Sequence, residues 1–259
     1  METNLAQMVP RPQRQWEFNV LGLYNYFASG PLDMVFDFLR SELSRIPGDI
    51  VELGVYRGKS LLSIALAIEE FGLQRRIFGF DSFSGFPDSA LTHMDELDRF
   101  DDLAKQGLIS PSHFEAVTRN REYKLLKNHS VSIREISTSG DFSSTSERHV
   151  HDLAQALGIS SVTLVPGIFS GDLFEANLPD SIAVAVFDCD LYKSYEIGLE
   201  HVWPRLSIGG ICFFDEYYSL KFPGPRRAVS EFLKSKKFEW RSTVDLNCEF
   251  ERHAIVRTG

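Results

Sequence analysis

Five short apolar runs, separated by longer stretches of helical pattern, constrain this chain more than any other feature. They are Ile50–Leu53, Ile77–Phe80, Val162–Val165, Ile182–Phe187 and Ile211–Phe214. Several are bounded by Gly or Asp and are rich in β-branched or aromatic residues, so they read as strands covered on both faces, which is the condition of a parallel sheet. Helical patterns lie between most of them, at Ser60–Phe71, Ser146–Leu157 and Tyr195–Leu206. Alternating strands and helices predict a doubly wound α/β sheet. At the C-terminal end, "KFEWRSTV" and "EFERHAIVRT" predict a closing antiparallel pair around a turn at Asp245–Asn247.

A chain of 259 residues with 43% hydrophobic content can bury one sizeable core, because single cores stop growing near roughly 250–300 residues. The formal charge of −9, from 36 acidic against 27 basic residues, produces a field that repels nucleic acid and anionic membranes. A neutral or cationic small-molecule partner fits it better. Cys189, Cys212 and Cys248 form no C-x-x-C pair for zinc and predict reduced thiols of a cytoplasmic protein. The opening "METNLAQMVPRPQRQWEF" lacks the apolar core and cleavage site of a secretory signal. No later run reaches the roughly 18 apolar residues of a membrane span.

Met1–Arg14 is polar, contains Pro10 and Pro12, and predicts a loose arm. Helical spacing then runs from Val20 to Arg45, with Met34, Val35, Phe38 and Leu39 on one side, until Ile46-Pro47-Gly48 stops it. The organisation expected is one domain: an arm and helices over 1–45, then a core over 46–259. The piece from Ser82 to Thr145 breaks the strand–helix rhythm and carries His93, His113 and His129. Its length predicts a lid or insertion over the site, not a second domain.

The loop "VELGVYRGKS" after the first strand ends like a phosphate-gripping P-loop. A P-loop, however, needs four residues between its glycines, and Gly54 and Gly58 enclose only Val55, Tyr56 and Arg57. Glu52 would also bring a carboxylate close to a polyanion. A nucleotide hydrolase stays open as the alternative, because "IAVAVFDCD" and "ICFFDEY" resemble the strand-plus-acid element that holds magnesium in such enzymes. The shorter E-x-G-x-x-x-G loop suits a ligand with a small carboxylate and a positive charge. Amides at the start of the following helix, Gly58 to Ser60, take the carboxylate, and Glu52 faces an ammonium or sulfonium. S-adenosylmethionine has that charge layout. Asp81, ending the second strand, stands where an acid meets a ribose diol in doubly wound folds.

Taken in order, "GDIVELGVYRGKS", "FGFDSFSGFP", "LVPGIFSGDLF" and "VFDCDLYKSYEIGLEHVWPRLSIGGICFFDEYYSLKFPGPRRAVSEFL" resemble the macrocin O-methyltransferase (TylF/MycF) family over about Gly48 to Leu233. The first segment is also similar to the loop of the catechol O-methyltransferase group. The resemblance implies the seven-stranded class I methyltransferase sheet, mostly parallel, often in homo-oligomers. It implies an S-adenosylmethionine-dependent and magnesium-dependent O-methyltransferase acting on a sugar hydroxyl of a natural product or glycan. Carried over by residue, Glu52, Gly54, Tyr56, Gly58 and Ser60 line the methionine end of the cofactor, and Asp81 with Ser82 lies at the ribose. The segment Ser139–Thr145, with Phe142 and Ser143, falls near the adenine.

The same resemblance points to Asp188, Asp215 and Glu216 as magnesium ligands, with Asp188 essential to transfer. Independently of the family, adjacent parallel strands bring their carboxyl ends together at the ligand crevice, where clustered carboxylates call for a cation. Two departures stand out: Glu216 replaces the more usual Asp or Asn, and "DCDLY" has Leu191 where the catechol enzymes carry a lysine base. Asp190 either ligates or orients, or caps the helix expected near Ser194. For a general base the sequence offers His149 and His151, which could equally be surface residues, with His93 and His113 behind them. Tyr217, Tyr218 and Arg226 are expected in the acceptor pocket, although Pro223-Gly224-Pro225 also reads as a plain turn into the next helix. No G-x-S-x-G elbow supports a hydrolase. A non-catalytic binding module that keeps the fold is the remaining class.

Overall fold

The apolar runs form the ladder they predict. In the computed structural model, which describes residues 9–245 and 249–259, the elements follow in the order α1 (Gln15–Leu21), α2 (Asp33–Ser41), β1 (Asp49–Leu53), α3 (Lys59–Glu70), β2 (Ile77–Asp81), α4 (Arg99–Lys105), α5 (Pro111–Leu126) and α6 (Glu147–Ala156). They continue with β3 (Val162–Pro166), α7 (Gly171–Asn177), β4 (Ile182–Phe187), α8 (Tyr192–Arg205), β5 (Leu206–Phe214), α9 (Gly224–Phe232), β6 (Phe238–Asp245) and β7 (Phe250–Arg257). Cys248, the far side of the expected 245–247 turn and the first eight residues of the expected arm lie outside the described residues.

The strands make one seven-stranded sheet in the order β3-β2-β1-β4-β5-β7-β6. Ladders among β3, β2, β1, β4 and β5 are parallel, and β7 inserts antiparallel between β5 and β6. Period-two alternation sorts the strand side chains into two cores. Ile50, Val184, Val186, Ile211 and Phe213 pack toward α1, α2, α3 and α6. Val51, Leu53, Ala185, Phe187, Cys212 and Phe214 pack toward α7, α8 and α9. Helices on both faces explain why the strands carry no polar alternation. Each fully buried phenylalanine, such as Phe187 or Phe213, contributes about 1.5–3 kcal/mol of burial.

Helix α3 shows how local sequence serves this plan. Every residue from Ser60 to Ile68 is buried, so the helix is apolar nearly all round and sits between the sheet and the N-terminal helices. Its end is set by Gly72 at φ 69, a left-handed stop. Helix α6 starts on Ser146, whose hydroxyl accepts the His149 amide at 3.0 Å.

The helical stretch expected from Val20 to Arg45 is broken: α1 already ends at Leu21, and helix resumes only over Asp33–Ser41 in α2 and a short turn at Leu43–Arg45. Gly22 ends α1 in the left-handed conformation with its N–H on the Asn19 and Phe18 carbonyls, and Pro31 bars Gly30 from helical geometry before α2 begins. Met34, Val35, Phe38 and Leu39 do share the buried face of α2. The described part of the expected loose arm is docked: the Val9 amide donates to the Ala156 carbonyl at 3.0 Å, and Arg11 pairs with Glu69.

Between β2 and α6, helices α4 and α5 build a small core of Phe100, Leu103, Ile109 and Val117. Three side chains fasten it to the loop after β5 through main-chain carbonyls. His113 Nε2 donates to Ser219 at 2.8 Å, Asn120 Nδ2 to Leu220 at 3.1 Å, and Arg226 Nε to Leu108 at 2.7 Å. At the other end, buried Asp95 accepts the amides of Thr92 and Tyr192, tying this segment to the start of α8. No helix among the described residues is long and apolar enough to cross a membrane.

Candidate active site

Strands β1 and β4 are neighbours, yet α3 leaves over one face and α8 over the other. That divergence opens the crevice in which doubly wound sheets take ligands. A cavity of about 390 Å³ lies there, with Gly54, Tyr56, Asp81 and Ser82 on one side and Asp188, Cys189 and Asp190 on the other. Phe86, Phe142 and Phe169 wall it with apolar surface.

The glycine loop crosses the end of β4 with no space to spare. A Cβ at Gly54, whose φ is +93, would stand 1.8 Å from the Asp188 carbonyl oxygen. Past it, Tyr56 is left-handed at φ 49, a conformation that costs a non-glycine residue about 1–2 kcal/mol. Asp81 holds the turn: Oδ2 accepts the Val55 and Tyr56 amides at 2.7 and 2.8 Å, while Oδ1 accepts Phe83 at 2.6 Å. Thr145 clamps the same turn from above by donating to the Tyr56 carbonyl. Asp81 therefore spends two bonds on shaping the glycine loop and one on its own turn after β2, and lines the cavity as well.

Glu52, Gly58 and Ser60 lie beneath this surface. Glu52 is fully buried, with Oε1 accepting from the Ser60 hydroxyl and Oε2 without a hydrogen-bond partner among the described residues. Burial pushes its carboxyl well above the usual range, Ser60 pulls it back, and Asp188 adds to the rise. An orphaned buried carboxylate oxygen under the loop is what a cationic group seated above it would satisfy. Ser143 is exposed, with its amide on Asp141.

Across the crevice, carboxylate oxygens of Asp188, Asp215 and Glu216 all lie within 4.8 Å of one another. The cluster is held by its own neighbours. Tyr195 Oη donates to Glu216 Oε2 at 2.6 Å, the Asp190 amide reaches the same oxygen at 3.4 Å, and Arg252 Nη1 donates to Asp215 Oδ1 at 2.8 Å. Burial, followed by the charge of Asp215, pushes Asp188 up to about 7. Burial also drives Asp190 and Glu216 well above their ordinary range, and neighbouring acids add to it. Three hard oxygen donors brought this close together match a hard divalent cation such as magnesium. The donor set fits.

Asp190 is not a helix cap. Helix α8 begins at Tyr192 with Leu191 as its cap and no side-chain hydrogen bond there. Asp190 instead sits left-handed at φ 61, buried, on the cavity wall. Non-glycine residues held this way concentrate at functional sites.

The structure leaves other candidates apart. His149 and His151 are exposed on α6 and line no part of the cavity, because Val150 between them is the residue that turns inward. His93 is exposed, while His113 is buried, stacked 4.1 Å from Tyr218. Tyr217 packs against Trp240 and His253 at 5.0 and 4.9 Å, with Arg226 3.8 Å over its ring. None of Tyr217, Tyr218 and Arg226 borders the 390 Å³ cavity. Pro223 and Gly224 do start α9, as the turn reading predicts.

Several residues at the site carry little sequence signal. The loop Gly167–Ser170 after β3 closes the cavity opposite Phe142. Tyr24 and Lys59 meet beside the acids, with Lys59 Nζ 4.1 Å from the Tyr24 ring centre. Burial, then Asp215 and Asp188, raises the Tyr24 phenol. Tyr24 and Arg252 lie far from Asp188 in sequence, Tyr24 in the loop after α1 and Arg252 on β7, so no local motif connects them to it.

Solved structures share this architecture. The calicheamicin methyltransferase CalS11 superposes with a TM-score of 0.58 at 23% identity, over 95% of this chain and 81% of its own. The O-methyltransferase NovP gives 0.57 at 22% identity, over 88% and 79%. The fold is that of the class I S-adenosylmethionine methyltransferases. Among curated proteins, the chain is 30% identical over 175 residues to the 8-demethyl-8-(2,3-dimethoxy-alpha-L-rhamnosyl)-tetracenomycin-C 4'-O-methyltransferase of Streptomyces olivaceus, covering 66% of this chain and 54% of that protein. It is 27% identical to the demethyldecarbamoylnovobiocin O-methyltransferase of Streptomyces niveus, over 73% and 59%. It is also 27% identical to the mycinamicin III 3''-O-methyltransferase of Micromonospora griseorubida, over 72% and 61%. The aligned segments thus span little more than half the length of these relatives. The macrocin-O-methyltransferase (TylF) family model matches residues 39–135 and 137–253, and on that extent the chain belongs to this family.

Proposed function

We propose that this protein is an S-adenosylmethionine-dependent O-methyltransferase that methylates a hydroxyl on a sugar borne by a small molecule, with magnesium held by Asp188, Asp215 and Glu216. The observation that carries this reading is one crevice lined at once by the glycine loop and by Asp188 of the acid cluster. The named activities of the curated relatives support the acceptor class, since one methylates a rhamnosyl-tetracenomycin at its 4' position by name and another mycinamicin III at 3''. The chain is read as one catalytic domain, with the 82–145 segment forming a wall over the site.

When bound, the sulfonium donor supplies an electrophilic methyl group, and magnesium lowers the pKa of a hydroxyl that it contacts. The protein's own part is placement and proton handling. Asp81 and Thr145 fix the glycine loop, which would hold the methionine end of the donor, and Glu52 Oε2 would face its positive end. Phe86, Phe142 and Phe169 exclude water from the cavity. Tyr195 fixes Glu216, and Arg252 fixes Asp215, so that the cluster keeps one shape. The carboxylate of Asp190 accepts the proton from the acceptor hydroxyl, because it is buried on the cavity wall beside the cluster and its surroundings raise its proton affinity. This assigns the base to Asp190 and not to His149 or His151.

Calorimetric titration with S-adenosylhomocysteine and with ATP tests the reading, followed by a labelled-methyl screen against sugar nucleotides and glycosides. Binding of the homocysteine nucleoside and magnesium-dependent label transfer are expected. Tight ATP binding without homocysteine-nucleoside binding would return the choice to a nucleotide hydrolase.

A further inference from the structure

The acid cluster contains a cation of its own. Strand β7 runs antiparallel to β5 with Phe214 opposite His253, and this register brings Arg252 beside the first residue past β5, Asp215. The guanidinium lies 2.8 Å from Asp215 Oδ1 by Nη1 and 3.5 Å from Asp245 Oδ2 by Nη2. Its side chain is 10% exposed and that of Asp245 is 1% exposed. A nearly buried arginine thus bridges two carboxylates, one of them a proposed metal ligand and the other part of the β6 scaffold.

We propose that Arg252 is a built-in counter-ion that neutralises Asp215 while the cluster is metal-free and thereby weakens its hold on a divalent cation; this rests on the magnesium reading given above. The physical reason is direct. A fixed positive charge in hydrogen-bond contact with a ligand carboxylate both takes up one of its lone pairs and repels an incoming ion, and with Arg252 10% and Asp215 32% exposed, water screens the pair only in part. Among the described residues, neither Asp188 nor Glu216 has an arginine in hydrogen-bond contact: Glu216 is held by the neutral Tyr195 hydroxyl. The cluster is asymmetric, with an arginine-clamped ligand, Asp215, past the end of β5 and a ligand without such a clamp among the described residues, Asp188, past the end of β4. Arg252 acts here as a positioning residue, through Asp215.

The experiment titrates Mn²⁺ into the chelator-treated, full-length protein without methyl donor and follows free Mn²⁺ by electron paramagnetic resonance. The wild type, Asp188→Asn, Arg252→Gln and the double variant Asp245→Asn, Arg252→Met are compared, with melting temperatures recorded with and without Mn²⁺. The double variant removes Asp245's charge along with that of Arg252, so it reports even where Arg252→Gln does not fold. Loss of the arginine charge is expected to tighten Mn²⁺ binding on the order of tenfold, which corresponds to about 1.4 kcal/mol, and to enlarge the Mn²⁺-induced rise in melting temperature. A purely structural role would lower stability without tightening the metal. Wild-type binding that depends on Asp188 but is unchanged or weaker in both charge-removing variants overturns this proposal alone. Wild-type protein with no Asp188-dependent Mn²⁺ binding overturns the magnesium reading and this proposal with it.

Discussion

Replacing Gly54 with alanine tests whether the glycine loop is shaped by its crossing of β4. Two costs arise and can be separated. The first is conformational: φ is +93 at Gly54, and a left-handed residue with a Cβ costs about 1–2 kcal/mol, partly offset by roughly 0.4–1 kcal/mol of lost freedom in the unfolded chain. The second is steric. The new Cβ would be 1.8 Å from the Asp188 carbonyl oxygen and 2.6 Å from its carbon, both backbone atoms, where real Cβ contacts stay beyond 3.0 Å. Closing that gap means moving β4 by about 1.2 Å, an overpacking that costs about 3 kcal/mol. Gly72 supplies the control, because it is left-handed at φ +69 with nothing within 4 Å of a Cβ. Gly72→Ala should therefore cost about 1 kcal/mol and Gly54→Ala about 4 kcal/mol, or roughly 3 °C against 10 °C or more in melting temperature. Calorimetric titration should also show S-adenosylhomocysteine binding kept in Gly72→Ala and lost in Gly54→Ala. Equal stability of the two variants, with binding preserved in both, would refute the packing argument.

Asp190→Asn keeps a residue tolerant of the left-handed conformation but removes the proton acceptor. It should lower kcat roughly 10²- to 10⁴-fold while S-adenosylhomocysteine affinity stays within about threefold in titration; unchanged kcat would reassign the base. In chelator, Asp188 sits at about 7 against an ordinary 3.8, so the folded state keeps a proton that the unfolded chain has released between those values. Stability from this source is fully present below about 3.8 and lost as pH rises to about 7. Urea melts across that window should show the wild type losing stability relative to Asp188→Asn as pH rises, with the difference levelling above about 7. A difference that grows in the opposite sense contradicts the assignment.

The sheet was legible because parallel strands buried on both faces must be apolar throughout, and only alternating helices can connect them. The gap between α1 and α2 was less so, since the apolar spacing continues across it and only Gly22, Gly30 and Pro31 mark it. At the site, the glycine spacing and the acids at the ends of β4 and β5 were readable because each feature lies within a few adjacent residues. Asp190 was ambiguous in sequence, because an acid just before a helix is the ordinary sign of a cap. Its left-handed backbone decides against that role. His149 and His151 illustrate the reverse error: two titratable side chains on a helix near the site in sequence point to solvent because Val150 takes the inward position. Tyr24, Lys59 and Arg252 reach the acids from separate elements, and only the folded arrangement brings them together.

The segment holding α4 and α5 is gripped by His113, Asn120 and Arg226 through the carbonyls of Ser219, Leu220 and Leu108. Main-chain oxygens are present whatever side chain occupies those positions. The grip therefore does not depend on which side chains stand at 108, 219 and 220, and the peptide chain itself anchors α4 and α5 to the loop after β5. The side chains there answer to other partners, Leu108 and Leu220 to the small core of α4 and α5, and the Ser219 hydroxyl to the Lys221 and Phe222 amides.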